Sequence, residues 1–200
     1  MKKDNDTHFY AQSLEDCFAY ILPEHKNTGK ALKDLVGKHY EQHRKRIYQH
    51  LGFSTAKEKL DNCFDADWIV RDKNGKVVVV EEDKGHYVDS CFCERAIIGF
   101  AKVANYYLEQ HQECPFLVLS CPTRYKSFER KFKETLHLFR PELAVVLKDK
   151  VKYFNVANHD RLPVKRWIRH IENPIPFTPE VKNNVYEEIA FLKSLDTPEG

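Results

Sequence analysis

The chain has 200 residues, of which 42% are apolar and 31% are charged, a composition typical of one globular domain that buries a sizeable core. Its 32 basic and 30 acidic residues leave a formal net charge of only +2, which excludes a polybasic tail and a strongly acidic solvating segment. Only seven residues are glycine, and neither GxxxxGK[ST] nor GxGxxG occurs, so both common glycine-rich phosphate-binding loops are absent.

The sequence also carries information about compartment. No segment reaches the roughly 18 apolar residues that a membrane span needs, and Met1 to Tyr10 is polar. We therefore expect an intracellular protein, cytoplasmic or nucleoid-associated, that is neither secreted nor in contact with a membrane. The six cysteines are then expected to be reduced, and the isolated pair Cys91 and Cys93 favours packing over zinc binding.

The first predicted elements are a long helix and a hairpin. Lys30 to Leu51 places apolar side chains at helical spacing, and the other face of this helix is basic. Two β-rich runs, Ala66 to Asp72 and Val77 to Val80, flank Asn74-Gly75, the strongest short-range signal for a hairpin with a two-residue turn. The four successive valines indicate a strand that is covered on both faces and lies inside the sheet.

The remainder of the chain alternates helices and strands. We predict helices over 95–108, 127–139 and 180–195, and strands over 115–120, 144–147 and 152–156. This order predicts an α/β fold with a mixed central β-sheet flanked by helices. We expect a single domain over residues 1–200, with a core of about residues 30–156 and a C-terminal helical extension of about residues 157–200.

The register of the hairpin brings charged side chains together. A two-residue turn at Asn74-Gly75 places Asp67 opposite Glu82, and Asp65 opposite Lys84. Residues two apart on a strand share a face, so these four side chains are predicted to point to the same side of the sheet. An acidic pair beside a lysine is thus expected at one end of the hairpin.

Opposed carboxylates are costly in a sheet that has only a structural role. At about 5 Å and an effective dielectric constant near 20, their repulsion is on the order of 3 kcal/mol. A divalent cation reverses the sign, because Mg²⁺ takes one or two carboxylates together with waters and phosphate oxygens. The alternative is a solvated sheet end with a weak ion pair between Asp65 and Lys84. Glu81 and Asp83 are predicted to point to the opposite face.

The spacing of Asp67, Glu82 and Lys84 resembles the Asp-x(n)-(Asp/Glu)-x-Lys signature of the PD-(D/E)XK nucleases, the restriction-endonuclease-like superfamily. The similarity extends to the order of elements from about Leu32 to Val156, although Ala66 stands where the family motif has proline. The resemblance implies a restriction-endonuclease-like core. It also implies Mg²⁺-dependent hydrolysis of DNA phosphodiester bonds to 5′-phosphate and 3′-hydroxyl ends, with Mn²⁺ as a substitute metal.

The resemblance further implies roles for the matching residues. Asp67 and Glu82 would bind the metal, and the carbonyl of Asp83 would be an additional ligand. Lys84 would position or activate the attacking water. Asp65 shares the predicted face and is the alternative to Asp67, although the apolar residues that follow Asp67 fit the family pattern better.

Two further residues are candidates near this site. Glu41 matches the glutamate that the family often carries on the helix before the sheet, and the alternative is an ordinary helical ion pair with Lys45. His86 follows Lys84 closely and is within plausible reach of substrate, although a lone histidine there is more often a surface loop residue.

Three basic stretches, residues 43–46, 124–133 and 161–169, are candidates for contact with DNA phosphates, or alternatively solvated helix faces. The side chains predicted to bind DNA are Arg44, Lys45, Arg46, Arg124, Lys126, Arg130, Arg166 and Arg169. We expect a sequence-specific type II restriction enzyme acting as a homodimer on double-stranded DNA, since a palindromic site matches two-fold protein symmetry. The alternatives are a repair, recombination or host-DNA-degrading nuclease of the same fold, and a catalytically inactive nucleic-acid-binding module.

Overall fold

The computed structural model describes residues 2–19, 30–60, 64–84, 90–123, 128–157 and 179–196. The helices in these ranges are α1 (Lys2–Ala19), α2 (Lys30–His50), α3 (Ser90–Glu109), α4 (Phe128–Leu136), α5 (Pro141–Lys150) and α6 (Pro179–Ser194). The strands are β1 (Ser54–Ala56), β2 (Lys59–Leu60), β3 (Phe64–Asp65), β4 (Trp68–Arg71), β5 (Val77–Asp83), β6 (Phe116–Thr123) and β7 (Val151–Ala157). The fold is α/β, as the sequence predicted.

The central sheet is mixed and has the strand order β1-β4-β5-β6-β7. The first three strands are antiparallel neighbours, whereas β5, β6 and β7 run parallel to one another. Parallel neighbours need crossover connections, and α3 lies between β5 and β6 in the chain as α4 and α5 lie between β6 and β7. The valine-rich strand β5 is therefore internal, as predicted, while β2 and β3 form a separate two-stranded sheet.

The hairpin of β4 and β5 reaches the predicted register by a different route. The Gly75 N–H donates to the Asp72 carbonyl at 3.1 Å, and Gly75 has a φ of +82°, so the loop is longer than the predicted two residues. A β-bulge then leaves Val78 without an opposing residue. The two deviations cancel, and Trp68 pairs with Glu81 in the register that the shorter turn would have produced.

One predicted element is wrong, and one helix was missed. The apolar run Ala144 to Leu147 is not a strand but part of helix α5, whose first turn holds Pro141 and whose buried residues Leu143 and Leu147 are four apart. A short apolar run does not distinguish a strand from a helix by its periodicity. Helix α1 was not predicted at all, because its sequence is polar; among its described side chains, those of Thr7, Tyr10, Ser13 and Leu14 are buried.

Helices cover both faces of the sheet and create two hydrophobic cores. The first lies between the sheet and helices α3, α4 and α5, and includes Val80 and Phe100. The second lies on the opposite face, where α1, α2 and α6 pack against β4, β5 and β6. Helix α6, predicted as part of an extension, contributes Ile189 and Leu192 to this second core. In the described part of the chain, no helix combines the length and apolar character needed to cross a membrane.

Candidate active site

The candidate site lies where the hairpin ends, away from its turn. The paired positions of β4 and β5 end at Trp68 and Glu81. Asp67 precedes Trp68 in the chain and lies next to the end of β5. The Asp67 carboxylate accepts a hydrogen bond of 2.7 Å from the backbone N–H of Asp83. This side chain therefore extends the strand pairing by one step and is held against the strand that carries Glu82.

Asp67 and Glu82 form an acidic pair that is only partly neutralised. Burial raises the pKa of Asp67 to about 6; the hydrogen bond from Asp83 lowers it, and the charge of Glu41 raises it. Burial and then the charge of Asp67 raise the pKa of Glu82 to about 8, against the lowering effect of Lys84. Each carboxylate thus lacks a full counter-charge, which is the environment that a divalent cation would stabilise.

Lys84 lies beside Glu82 at the end of the same strand. Its backbone N–H donates to the Ser120 carbonyl of β6 at 2.8 Å, and its ammonium lies 4.4 Å from the centre of the Phe92 ring. The pocket at this point has a volume of about 280 Å³ and is lined by Phe64, Asp65, Glu82, Lys84, Phe92, Arg95 and Ala96. The site is therefore open enough to admit a small polar group beside Glu82 and Lys84.

The pocket also contains a cation that sequence reasoning missed. Arg95 of α3 is exposed, lines the pocket, and lowers the pKa of Glu82, although burial and the charge of Asp67 outweigh it and raise that pKa. The signal that could have found it is its place near the start of the helix that follows β5. A helix that crosses over from a parallel strand begins near the edge of the sheet at which that strand ends.

Glu41 forms an acidic cluster with Asp67 and Glu82. Its ion pair differs from the alternative that the sequence suggested. Its carboxylate pairs with the ammonium of Lys57, which follows β1, and not with Lys45. The charge of Glu41 also contributes to the raised pKa values of Asp67 and Glu82, behind burial in both cases. Lys57 was not singled out from the sequence, because only the tertiary fold brings β1 beside α2.

The prediction that Asp65 lies opposite Lys84 is wrong. Asp65 belongs to β3, where it pairs with Lys59 of β2, and its exposed carboxylate lies 3.5 Å from the Lys59 ammonium. The chain leaves the β4 pairing at Asp67, and the two-residue periodicity on which the prediction relied therefore stops there. Asp65 still lines the pocket that contains Glu82 and Lys84, whereas Asp67 has the contact with β5.

Arg44, predicted to contact DNA, is instead completely buried on the opposite face of the sheet. Its guanidinium donates two parallel hydrogen bonds to Glu81, of 2.7 and 3.0 Å, and a third bond to Glu188 of α6. Tyr48 also donates to Glu81, and Tyr10 donates to Glu188 at 3.1 Å. Arg44 therefore cannot reach a nucleic acid, because its donors are used to join α1, α2 and α6 to β5.

Asp83 points to the same buried face as Glu81, as the alternation of the strand predicted. Its carboxylate is buried, and one of its oxygens lies 4.0 Å from Nε of Arg44. Burial, followed by the charge of Glu81, raises the pKa of Asp83 well above its ordinary value. Only the backbone of Asp83, which contacts Asp67, faces the candidate site.

Three of the remaining predicted DNA contacts belong to the described residues. Arg46 is exposed and lies 3.6 Å from Asp16, and Arg130 is exposed and bonded to Glu134 one helical turn away. Lys45 is half-buried, with its ammonium 5.9 Å from the Trp68 ring. The other predicted residues, His86, Arg124, Lys126, Arg166 and Arg169, lie outside the described residues.

The donors available at this site limit how a metal could bind. Within residues 2–19, 30–60, 64–84, 90–123, 128–157 and 179–196, no three His, Cys, Asp or Glu side chains form a metal-binding group. Two carboxylates and a nearby backbone are still compatible with Mg²⁺, which keeps several waters and needs one or two protein carboxylates. Comparison with family models, curated proteins and solved structures found no match for this chain.

Proposed function

We propose that this chain is a metal-dependent DNA endonuclease with a restriction-endonuclease-like core. The observation that carries the proposal is the meeting of Asp67, Glu82 and Lys84 at one end of the β4–β5 hairpin, with Asp67 hydrogen-bonded to β5. These are the three positions of the PD-(D/E)XK signature that the sequence resembles. The order from α2 to β6 is a helix, five strands that end with the β4–β5 hairpin, a helix and a strand, and it supports the same proposal.

The residues fit a bound Mg²⁺ ion through two carboxylates. Asp67 and Glu82 would hold it, and the backbone carbonyl of Asp83 would be a further ligand. Mn²⁺ would substitute, since it accepts the same oxygen ligands. Bound there, the ion would act as a Lewis acid on the phosphate and lower the pKa of a coordinated water.

The chain's own contribution to the reaction comes from Lys84. Its ammonium would orient the attacking water and stabilise the negative charge that develops on the phosphate oxygens. The water oxygen forms a bond to phosphorus and releases a proton to solvent, while the bond from phosphorus to the 3′-oxygen breaks and that oxygen takes up a proton. The products are a 5′-phosphate and a 3′-hydroxyl.

For the substrate, we propose double-stranded DNA cut at a specific sequence by a homodimer, as in a type II restriction enzyme. A repair, recombination or host-DNA-degrading nuclease would use the same site. Cleavage of a plasmid into discrete bands supports the first; a smear, or preference for branched or single-stranded DNA, supports the second.

The decisive test is cleavage of plasmid DNA by the purified chain. We expect cleavage with Mg²⁺ or Mn²⁺, none with EDTA, and a loss of at least 100-fold in rate for Lys84→Ala. Lys73→Ala is the matched control, because Lys73 is an exposed lysine at the hairpin turn, at the other end of β4 and β5. Full activity of Lys84→Ala with an unchanged melting curve would contradict the assignment.

A catalytically inactive nucleic-acid-binding module is the second candidate. It is favoured by the absence, among the described residues, of a group of three metal-binding side chains. Calorimetric titration with Mg²⁺ or Mn²⁺ separates the two: an enzyme should bind the ion in a manner abolished by Glu82→Gln, and an inactive module should not.

A further inference from the structure

We propose that Lys57 is a second lysine of this site that contacts DNA. Its ammonium binds a backbone phosphate beside Asp67, whereas Lys84 lies beside Glu82. The inference rests on the proposed function, because it names a residue that would hold the DNA during the proposed reaction. Lys57 follows β1 and lies outside the three basic stretches that the sequence suggested.

The position of Lys57 complements that of Lys84. Its ammonium pairs with Glu41, and its charge acts on Asp67, whereas the charge of Lys84 acts on Glu82. The two lysines therefore flank the acidic pair from different elements of the fold.

Both lysines also rest on an aromatic ring. The Lys57 ammonium lies 5.1 Å from the centre of the Trp68 ring, and the Lys84 ammonium lies 4.4 Å from that of Phe92. A ring under the ammonium supports the charge while leaving its outer side to solvent. The Lys57 side chain is 51% exposed, so a phosphate can reach it without a rearrangement of the core.

The charges of the site indicate what Lys57 would bind when DNA is present. Glu41, Asp67 and Glu82 carry three negative charges when ionised, which one divalent cation and Lys84 would balance. Of the other charged residues that line the pocket, Asp65 is paired with Lys59, and the charge of exposed Arg95 acts on Glu82. A DNA phosphate adds one more negative charge, and among the described residues Lys57 is the lysine that pairs with Glu41 and acts on Asp67, so it can bind that phosphate beside Asp67.

A purely structural role for the ion pair with Glu41 predicts little. An ion pair between such solvent-accessible side chains contributes little to stability, so it does not by itself hold Glu41 in place. A lysine is flexible and can exchange a carboxylate for a phosphate at small cost.

The test is the salt dependence of DNA binding, measured by fluorescence anisotropy with a labelled DNA duplex in EDTA. We expect Lys57→Met to weaken binding about 5- to 10-fold and to reduce the slope of log K against log salt by about 0.9, the value for one lost phosphate contact. Lys57→Arg should retain the slope. Lys73→Met removes the same charge at the far end of the hairpin and should leave both quantities unchanged.

A double variant separates phosphate binding from support of Glu41. If Lys57 contacts DNA, adding Lys57→Met to Glu41→Gln should still reduce the slope, whereas a lysine that only holds Glu41 would have no further effect. An unchanged slope in either background overturns the inference. If the wild-type chain cleaves DNA while Lys57→Met binds it normally, the inference alone fails; if the wild type neither binds nor cleaves DNA, the proposed function fails with it.

Discussion

The two faces of strand β5 place the same residue type in opposite environments. On one face, Glu81 is fully buried and accepts hydrogen bonds from Arg44 and Tyr48. On the other face, Glu82 lies beside Asp67 and an open pocket, and its pKa is raised to about 8 by burial and by that neighbouring charge. Of these two adjacent glutamates, Glu81 is therefore a fixed structural anchor, whereas Glu82 is a carboxylate without sufficient counter-charge.

This difference shows how the fold supports an unfavourable site. The Arg44 network fastens three helices to β5 behind the site. The strand can then hold Glu82 and Lys84 in place although the acidic pair repels. Buried ion pairs are a weak source of net stability, but removing one partner of such a pair is strongly destabilising. The buried face is therefore expected to govern folding, and the open face to govern chemistry.

The largest expected effect is on the buried face. Arg44→Met should reduce the free energy of unfolding by about 3–5 kcal/mol, because Glu81 and Glu188 would be left buried without their shared cation. Urea denaturation followed by circular dichroism measures this. A loss below about 1 kcal/mol would show that the network does not anchor β5.

On the open face, we expect a substitution to raise the free energy of unfolding instead of lowering it. Glu82 has a folded-state pKa of about 8 against an ordinary value of 4.5, so the folded protein retains a proton that the unfolded chain releases between these pH values. Without metal, this cost is absent below about pH 4.5 and complete above about pH 8. Glu82→Gln removes it and should raise the free energy of unfolding at pH 8.5 by on the order of 2–4 kcal/mol.

The check is urea denaturation of both proteins in EDTA at pH 5 and pH 8.5. The variant should gain stability over the wild type only at the higher pH. An equal difference at the two pH values would mean that the charge of Glu82 is not the cause.

A smaller effect on the free energy of unfolding is expected for a second substitution on the buried face. Tyr48→Phe removes one hydrogen bond to Glu81 but leaves the two from Arg44. We expect a loss of about 1–2 kcal/mol in the free energy of unfolding, with DNA cleavage unchanged at a temperature where the variant is folded. A specific loss of activity with no loss of stability would contradict the division between the two faces.

Much of the fold could be predicted because its signals are local. Asn74-Gly75 and the valine run indicated the hairpin and the internal position of β5, and helical spacing indicated α2 and α3. The register of the hairpin was correct only because a longer loop and a bulge cancel, and neither has a distinct signal in the sequence. Helix α1 was not predicted because its polar composition obscures the helical spacing of Thr7, Tyr10 and Leu14, which it buries.

The acidic pair illustrates what the sequence by itself determined. Strand alternation separates Glu82 and Lys84 from Glu81 and Asp83, because side chains on a strand alternate between faces whatever packs against them. Only the tertiary structure decided what each face meets. Arg44 is basic and lies in a basic stretch, yet the packing of α2 turns it into the core; Lys57 lies outside every basic stretch, yet the fold brings it to Glu41. Charge is a property of the sequence, but the partner that a charge finds depends on contacts between distant elements.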